Sequence, residues 1–411
     1  MMVICVTMSP YFSPRIAPDL AQAIDAFMRE GLERHFPAAD LVVLHRGQVV
    51  IDGCWGTCEG VVPGPGRLFD LASLTKLFTA TLVLAGASQG RLSLDDPIAL
   101  QVPEFARGGP RALDEGQDPH TLARQPLAAG LQGVCVDPGV ITWRHLLTHT
   151  GGLHAWRALF MDIGPVPPSP SGEPTPDADA RRQRGIDQIA GYGFRSSPGD
   201  AIVYSDLGFI LLGEAAARSF ALPLRDAIAQ HVLVPAGLQD IGFCPLEGGW
   251  QARSRVLPTE LDMRWRQRRA WAEVHDENAC ALGGVAGHAG LFGTAMEVAR
   301  FGQCWLAGAA RTWGLSEGLA SQAVCEQAID GIERRGLGFM LKSMQRASCG
   351  EHFDAASFGH TGYTGTSLWV DPRAGLVVAC LTNAVYRGRD MTTATMRRQL
   401  HDLVWRACAS V

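Results

Sequence analysis

Segments with the character of β-strands lie near both ends of this chain, and segments with the character of helices lie between them. The strand-like runs cover residues 41–44, 49–51, 365–370 and 376–381. The first two are joined through Arg46-Gly47, which is typical of a hairpin, and the last two flank the turn-forming sequence 371–375. Helical spacing of apolar residues covers 19–36, 74–89, 143–149, 206–219, 222–233 and 296–308.

One sheet built from both chain ends and interrupted by helices is therefore expected. The predicted fold class is α/β (α+β), with an antiparallel β-sheet flanked by helices, formed from both chain ends, and an inserted mainly helical domain. We place the sheet domain at residues 1–100 and 290–411. The helical domain, with its long loops, is placed at residues 101–289.

The composition of the 411-residue chain is that of a folded protein with a large core. Hydrophobic residues make up 47% and charged residues 19%, which excludes a disordered, collagen-like or coiled-coil protein. The 36 Lys and Arg residues are outnumbered by 41 Asp and Glu residues, for a net charge of -5, so no positive field is available to hold a polyanion. We therefore expect no nucleic-acid partner.

Cysteine usage and the first residues indicate a cytoplasmic protein. The cysteines number eleven, an odd count without a spacing framework, as in a reducing compartment. Cys54 and Cys58 are close, but without a second pair or a His cluster they do not predict a metal site. Residues 1–18 lack a basic start and contain Pro10, which argues against a signal peptide. No apolar run reaches 18 residues without interruption, so a membrane span is not expected.

Two long segments, residues 103–140 and 164–179, are rich in Gly, Pro and polar residues. Either they are mobile solvent loops, or they form a rim that shapes the entry of a substrate, since long loops in compact enzymes often carry function. The sequence leaves both interpretations open.

A serine and a lysine stand three residues apart in the apolar run 69–79. If a helix begins at Ser73, Lys76 follows one turn later on the same face and can take the seryl proton. Burial in this run is expected to lower the pKa of Lys76 toward that of a usable base, and free N–H groups at the helix start can stabilise an oxyanion. The alternative is that Ser73 only caps the helix.

Tyr204 stands at the junction between a short extended run and a helix that is predicted to begin near Asp206. A phenol at this place can pass a proton between a nucleophile and a leaving group, with Asp206 orienting it or capping the helix. The alternative is a tyrosine packed in the core beside an ordinary N-cap.

The segment 359–365 precedes a predicted strand, and its glycines let the backbone come close to a ligand. His360, Thr361 and Gly362 are candidates for substrate binding. The backbone N–H of Tyr363 is a candidate for a second oxyanion donor.

Three motifs, in this order, resemble those of the penicillin-binding protein and serine β-lactamase superfamily: Ser73-x-x-Lys76, Tyr204-x-Asp206 and His360-Thr361-Gly362. The supporting stretches are residues 90–97, 141–153 and 381–383. The resemblance extends over about residues 20 to 405. It looks closest to the class C-type branch, which includes esterases, D-aminopeptidases, carboxypeptidases and acyltransferases.

The resemblance implies acyl transfer in two steps. Ser73 attacks a carbonyl carbon while Lys76 and Tyr204 manage the proton. The N–H groups of Ser73 and Tyr363 hold the oxyanion, and water or another acceptor then releases the acyl group.

Two positions depart from the superfamily pattern. His360 stands where β-lactamases usually carry Lys, which weakens the expectation of a cation for a substrate carboxylate and resembles the esterase-like members. Asp206 stands where Asn is more usual. Together these departures lower the expectation of efficient β-lactam hydrolysis.

The segment 274–293 resembles a subgroup of bacterial serine hydrolases, some of them linked with cell-wall recycling. Its glycines allow tight turns beside a pocket, which His275, Asp276 and His288 are candidates to line. The alternative is a Gly-rich turn that orders the entry into the helix near Met296.

Three further patterns do not support another chemistry. The Gly-x-Ser-x-Gly sequence 86–90 closes a helix instead of following a strand, so it is not a nucleophile elbow. The glycines of 284–290 lack a preceding strand and a Gly-x-Gly start, which argues against dinucleotide binding. His145 and His149 lie four residues apart without a third ligand, so packing or capping is expected for them.

The sequence thus predicts a serine hydrolase of the β-lactamase-related type, with its site in the cleft between the two domains. The leading hypothesis is hydrolysis of an ester or amide through acyl-Ser73, with D-amino-acid peptides and muropeptides among the candidate substrates. The alternatives are an acyltransferase that uses the same acyl-enzyme, a β-lactamase, and a penicillin-binding receptor that acylates without turnover. The expected partner is a small ester, amide or peptide substrate, and no cofactor or metal is expected.

Overall fold

The computed structural model describes residues 9–118, 121–127, 129–389 and 392–409. The first eight residues, which belong to the segment for which no signal peptide is predicted, lie outside the described residues. Three positions of the long segment 103–140 lie outside them as well.

Helices and strands are numbered in chain order. The α-helices are α1 (Pro18–Arg34), α2 (Thr75–Ser88), α3 (Trp143–Leu147), α4 (Ala178–Gly191), α5 (Asp206–Phe220), α6 (Leu224–Ile228), α7 (Glu277–Ala281), α8 (Ala295–Trp313), α9 (Glu317–Ala323) and α10 (Thr393–Ala409). The strands are β1 (Tyr11–Phe12), β2 (Ala38–His45), β3 (Gln48–Gly56), β4 (Phe69–Asp70), β5 (Arg111–Ala112), β6 (Gly116–Gln117), β7 (Arg124–Gln125), β8 (Cys135–Val136), β9 (Ile241–Phe243), β10 (Leu261–Asp262), β11 (Arg268–Arg269), β12 (Leu291–Gly293), β13 (Ala328–Ile329), β14 (Arg334–Arg335), β15 (Met340–Leu341), β16 (Phe358–Thr361), β17 (Ser367–Asp371) and β18 (Leu376–Thr382).

Nine strands of the described chain form one antiparallel sheet in the order β1-β3-β2-β18-β17-β16-β15-β14-β13. Its centre joins the two ends of the chain, because Leu41 of β2 pairs with Cys380 of β18. The predicted fold class is therefore confirmed. The domain limits at residues 100 and 290 stay a prediction.

Side chains alternate between the two faces of this sheet, as the pleat requires. On β2, Val42 and Leu44 face a core that α2, α5 and α8 share. Leu41 and Val43 face a second core, which α1 and α10 share. Helix α2 is buried along nearly its whole length, so protein encloses any polar side chain that it carries.

Both predicted turns have the expected backbone. Arg46 (φ 49°) and Gly47 (φ 78°) adopt left-handed conformations between β2 and β3, as a type I′ hairpin turn demands. After β17, Asp371 Oδ1 accepts hydrogen bonds from the N–H groups of Arg373 and Ala374.

A second sheet positions the candidate nucleophile. Its described strands have the order β4-β12-β9. Strand β4 leads directly to Ser73, and Phe292 of β12 pairs with Asp70 of β4. This pairing brings the glycine-rich segment 283–293 beside Ser73.

Some elements differ from the predicted ones. His360 and Thr361 lie at the end of strand β16 instead of in a loop before a strand, because the four residues of β16 lack apolar alternation. The predicted helix 222–233 is α6 followed by the π-helical turn Ala229–Leu233. Helix α4 was not expected, because Arg, Asp and Gln dominate its sequence.

In the described part of the chain, no single helix is long and apolar enough to cross a bilayer. Among the described residues, one helix pair, Asp206–Phe220 and Leu224–Leu233, is together long and apolar enough, but its two helices are bent by 77° relative to each other.

Candidate active site

The chain turns sharply just before Ser73. Strand β4 ends at Asp70, and Ala72 adopts a left-handed conformation (φ 46°), which costs free energy for a residue with a Cβ. The Asp70 carboxylate stabilises the turn, because it accepts hydrogen bonds from Ala72 N (2.8 Å) and His275 N (2.6 Å). Ser73 lies inside a 3₁₀ turn, and the α-helix begins only at Thr75, so Ser73 does not cap it.

The segment after β16 is hydrogen-bonded to the turn that precedes Ser73. The hydroxyl groups of Thr364 and Thr366 donate to two successive backbone carbonyl oxygens of the turn, at 2.8 and 3.1 Å. A Cβ on Gly362 would lie 2.1 Å from the Thr366 hydroxyl oxygen, so a larger residue does not fit there. Tyr363 thereby lines the same cavity as Ser73.

Lys76 follows Ser73 by three residues, and its side chain is fully buried (0% exposed). Its Nζ lies 2.9 Å from Ser73 Oγ and 3.1 Å from the carbonyl oxygen of His288. The same Nζ lies 2.7 Å from Asp206 Oδ1. The Ser–Lys contact that the spacing predicts is therefore present.

The pKa of Lys76 is shifted in the opposite direction to the one expected. Burial lowers this pKa, but Asp206 and Tyr204 raise it by more, so it lies above the ordinary value of a lysine. The expectation that burial turns Lys76 into a free base is wrong, because the sequence does not show the counter-ion. Lys76 is a cation held between Ser73 and Asp206.

Asp206 is the first residue of α5 but does not cap it. Ser205 is the N-cap, since its Oγ accepts a hydrogen bond from Gly208 N (3.1 Å). The capping interpretation of Asp206 is therefore wrong. Its contact with Lys76 agrees with the orienting interpretation instead.

The phenol of Tyr204 completes the group around Ser73. Lys76 Nζ lies 4.9 Å from the centroid of its ring. Burial raises the pKa of Tyr204, and Asp206 adds to the rise, whereas the Lys76 cation and the interaction with Ser73 act against it. The net shift is upward, so the phenol carries its proton at neutral pH.

Two buried histidines pack against the Tyr204 ring. The ring centroids of His149 and His360 lie 4.6 and 5.8 Å from that of Tyr204. Burial is the main cause that lowers the pKa of both histidines well below its ordinary value, so both rings are neutral at pH 7. His149 Nδ1 accepts a hydrogen bond from Ser205 N (3.0 Å), and His360 Nδ1 donates one to Thr361 O (2.7 Å).

Arg335, on β14, also faces Tyr204. Its Cζ lies 5.5 Å from the ring centroid, and its side chain is only 7% exposed. Together these residues form what we call the tyrosine cluster: Lys76, His149, Tyr204, Asp206, Arg335 and His360.

A second set of residues near Ser73 consists of carboxylates and their partners, and we call it the carboxylate cluster: Glu260, His275, Asp276, Glu277, His288 and Arg389. Glu260 Oε2 lies 2.8 Å from His275 Nε2 and accepts a hydrogen bond from Arg389 Nε at 2.9 Å. Glu277 also binds Arg389. Asp276 Oδ1 lies 2.8 Å from His288 Nε2. Burial acts to raise the pKa of Asp276, but the opposing interactions, with His288 first among them, keep this pKa below its ordinary value.

The two clusters meet at a cavity of about 230 Å³. It is lined by Ala72, Ser73, Ala155, Trp156, Tyr204, Asp206, His275, Asp276, Glu277, His288, Ala289, Tyr363 and Arg389. The Tyr363 ring is 37% exposed and stacks on His275 with centroids 5.7 Å apart. Such a space suits a small acyl group between two polar walls.

The structure brings most of the predicted site residues to this cavity. Those that line it are Ser73, Tyr204, Asp206, His275, Asp276, His288 and Tyr363. Lys76 does not line the cavity but contacts Ser73 Oγ through its buried Nζ, and the His360 ring packs against the Tyr204 ring. Thr361 and Gly362 do not line the cavity. Gly362 instead packs closely against the turn that precedes Ser73.

Several functional candidates were not predicted. Glu260, Arg335 and Arg389 belong to no motif, and no local pattern marks them. His149 was expected only to pack or cap; it packs, but against Tyr204. His145 acts as a capping residue, since its Nδ1 accepts a hydrogen bond from Thr142 N (3.2 Å).

Part of the long segment 103–140 lies beside the cavity. Its Asp114 binds His154 and accepts a hydrogen bond from Arg157 Nη2 (3.0 Å). These two residues flank Ala155 and Trp156, which line the cavity. Within the described chain, no group of three or more His, Cys, Asp or Glu side chains is arranged to hold a metal ion.

Comparison with known proteins identifies the family. A sequence model described as Beta-lactamase matches residues 20–403. A protein named putative D-alanyl-D-alanine carboxypeptidase from Escherichia coli K12 is 25% identical over 388 residues, which cover 88% of this chain and 81% of the relative. Esterase EstB from Burkholderia gladioli is 30% identical over 400 residues, which cover 90% of this chain and 92% of the relative.

A solved structure shows the same fold. EstCE1, described as a hydrolase with promiscuous acyltransferase activity, superposes with a TM-score of 0.68 at 18% identity, covering 94% of this chain and 98% of its own. The resemblance inferred from the three motifs is confirmed, because the family match spans nearly the whole chain. The chain belongs to the beta-lactamase family, whose members share this fold and include serine hydrolases.

Proposed function

We propose that the protein is a serine hydrolase that cleaves an ester or amide through an acyl-Ser73 intermediate. The observation that carries this proposal is the 2.9 Å contact between Ser73 Oγ and Lys76 Nζ, beside Tyr204 at a cavity. A hydroxyl hydrogen-bonded to groups that can move its proton is what nucleophilic catalysis needs.

Acylation follows from the positions of these groups. Ser73 Oγ bonds to the substrate carbonyl carbon and passes its proton to the Tyr204 oxygen, while Tyr204 gives its own proton to the leaving group. The bond between the carbonyl carbon and the leaving group then breaks. Lys76, fixed as a cation by Asp206, stabilises negative charge on both oxygens. In deacylation, water takes the place of the leaving group.

The oxyanion is held by the backbone N–H groups of Ser73 and Tyr363 in this proposal. Both residues line the cavity. The hydrogen bonds of Thr364 and Thr366 to the turn before Ser73 fix the two segments relative to each other. Donors that are already fixed stabilise a developing charge without reorganisation.

The neutral His360 ring favours uncharged substrates over β-lactams, because it offers no permanent cation for a substrate carboxylate. The names of the relatives, an esterase and a putative D-alanyl-D-alanine carboxypeptidase, make short esters and D-amino-acid amides and peptides the first substrates to test.

Stopped-flow hydrolysis of p-nitrophenyl acetate and butyrate tests the proposal. We expect a burst of about one equivalent of p-nitrophenol and then steady turnover, because acylation and deacylation are separate steps. Ser73→Ala should lose both phases. Ser88→Ala is the matched control, since Ser88 lies at the far end of the same helix and accepts a hydrogen bond from Ser316 N. Turnover by Ser73→Ala at the wild-type rate would contradict the mechanism.

A further inference from the structure

Arg335 is a buried cation, and its two acidic neighbours, Glu333 and Asp330, are open to solvent. Its Nη2 donates to Glu333 at 3.0 Å, but the Glu333 side chain is 41% exposed, so solvent weakens this pair. Its Nε is buried and has no hydrogen-bond partner among the described residues. Burying a guanidinium in this way costs free energy, and the group that it faces is the ring of Tyr204.

The charges around Tyr204 come from four elements and the segment after α3. Lys76 on α2 and Asp206 on α5 form an ion pair at 2.7 Å, so Asp206 offsets part of the Lys76 charge at the Tyr204 oxygen. His149 and His360 are buried and neutral. Arg335 on β14 is a second positive charge beside the Tyr204 ring.

We propose that Arg335 is a positioning residue for Tyr204, and that its charge compensates for the part of the Lys76 charge that Asp206 offsets. As the phenolic proton moves to the leaving group ahead of the arriving seryl proton, transient negative charge develops on the Tyr204 oxygen. A buried cation stabilises that charge more strongly than one in water. The inference rests on the proposed function, because it assigns Arg335 a part in the same proton transfer.

This role accounts for a departure from the family pattern. A motif with Asn in place of Asp206 would leave the charge of Lys76 uncancelled, and no further cation would be needed. Here Asp206 adds a negative charge that raises the pKa of Tyr204. Arg335 offsets this effect from the other side of the ring.

The test measures how fast a fluorophosphonate labels Ser73 between pH 6 and pH 10. Fluoride leaves this probe without taking a proton, so the ionised form of Tyr204 takes the seryl proton in the labelling reaction. Arg335→Met should therefore lower the rate constant at pH 7 about tenfold and move the rise of the profile about one pH unit upward, since one pKa unit is a tenfold change in the ionised fraction. Arg335→Lys should keep most of the wild-type rate. Adding Asp206→Asn to Arg335→Met should restore the rate, because it removes the anion that Arg335 offsets.

Two further variants serve as a control and as an alternative test. Arg334→Met is the matched control, since Arg334 is the neighbour of Arg335 on β14 and binds surface Glu326 instead; its profile should equal that of the wild type. If Arg335→Met does not fold, Glu333→Gln tests the same idea from the exposed side. It removes a negative charge near Arg335 and should move the profile to lower pH.

The outcomes separate the two proposals. A wild-type protein that is never labelled at Ser73 would overturn the proposed function. Labelling with the same profile in wild type, Arg335→Met and Glu333→Gln would overturn the role of Arg335 alone. A loss in Arg335→Met that neither Arg335→Lys nor Asp206→Asn restores would show that Arg335 supports the fold and not the proton transfer.

Discussion

The tyrosine cluster and the carboxylate cluster lie around one cavity but handle charge in opposite ways. In the tyrosine cluster, the two cations Lys76 and Arg335 are buried, and both imidazoles are neutral. In the carboxylate cluster, each acid has a basic partner, and Arg389 is shared by two glutamates. The first arrangement leaves charge effects strong, whereas the second neutralises them locally.

The two arrangements suit different tasks. Burial strengthens the effect of each charge on a proton transfer. A substrate is selected by groups that it can reach, and Tyr363 and Arg389 are partly exposed. We therefore propose that the tyrosine cluster carries out the chemistry and that the carboxylate cluster and Tyr363 recognise the substrate.

The largest effect is expected from Tyr204→Phe. It removes only the hydroxyl that relays the proton and keeps the ring that packs against His149 and His360. The kcat/KM for a p-nitrophenyl ester should fall roughly 10²–10⁴-fold, the usual contribution of general acid–base catalysis. Tyr386→Phe, which loses a surface hydrogen bond to Glu59, is the control and should stay near wild type. Equal kcat/KM in the two variants would remove Tyr204 from the mechanism.

A stability measurement compares the ion pairs of the two clusters. Asp206→Ala leaves Lys76 buried without a counter-ion and should lower the free energy of unfolding by about 3 kcal/mol. Glu277→Ala leaves Arg389 with Glu260 as its partner and should cost only about 1 kcal/mol. Urea denaturation at pH 7 measures both. The reverse order would show that the charges of the carboxylate cluster are the less compensated ones.

Tyr363→Ala tests the assignment of substrate recognition. It removes the ring that stacks on His275 but keeps the backbone N–H of residue 363. The KM for an aromatic ester should rise roughly 2–10-fold, in line with the strength of aromatic contacts, while kcat stays unchanged. A fall in kcat without a change in KM would move Tyr363 to the catalytic side of the comparison.

The smallest effect concerns His360 and acid pH. Burial lowers the pKa of His360 in the folded protein below its unfolded value, so the unfolded chain binds a proton first as the pH falls. The contribution of His360 to stability is therefore complete above about pH 6.5 and is lost progressively below it. His360→Asn should make the free energy of unfolding fall less between pH 7 and pH 5.5, by about 1 kcal/mol. Parallel curves for the two proteins would mean that His360 is not held neutral by burial.

The parts of the site that could be predicted are those with a local pattern. Ser73 lies in the 3₁₀ turn that leads into α2, and Lys76 follows in the first turn of that helix; Tyr204 lies two residues before Asp206 at a helix start. The antiparallel sheet could be predicted because short aliphatic and β-branched runs flank turn-forming sequences near both ends of the chain. In each case, neighbours in the sequence are also neighbours in space.

The parts that could not be predicted depend on contacts between distant segments. The pKa of Lys76 depends on Asp206, which belongs to another helix. Arg335 lies on a strand of two residues, too short for any periodicity, and arginine is ordinarily a surface residue. Only the folded sheet shows that its side chain faces Tyr204.

The pairing of β2 with β18 has a consequence for how the protein is made. As the chain is synthesised, β2 and β3 emerge early, but the strand that covers the open edge of β2 emerges only after all the helices from α1 to α9. An unpaired strand edge is a template for association with other chains, and contacts between distant segments form slowly. The growing chain therefore carries an unpaired strand edge for most of its synthesis, and association with other chains through this edge remains a risk until β18 emerges.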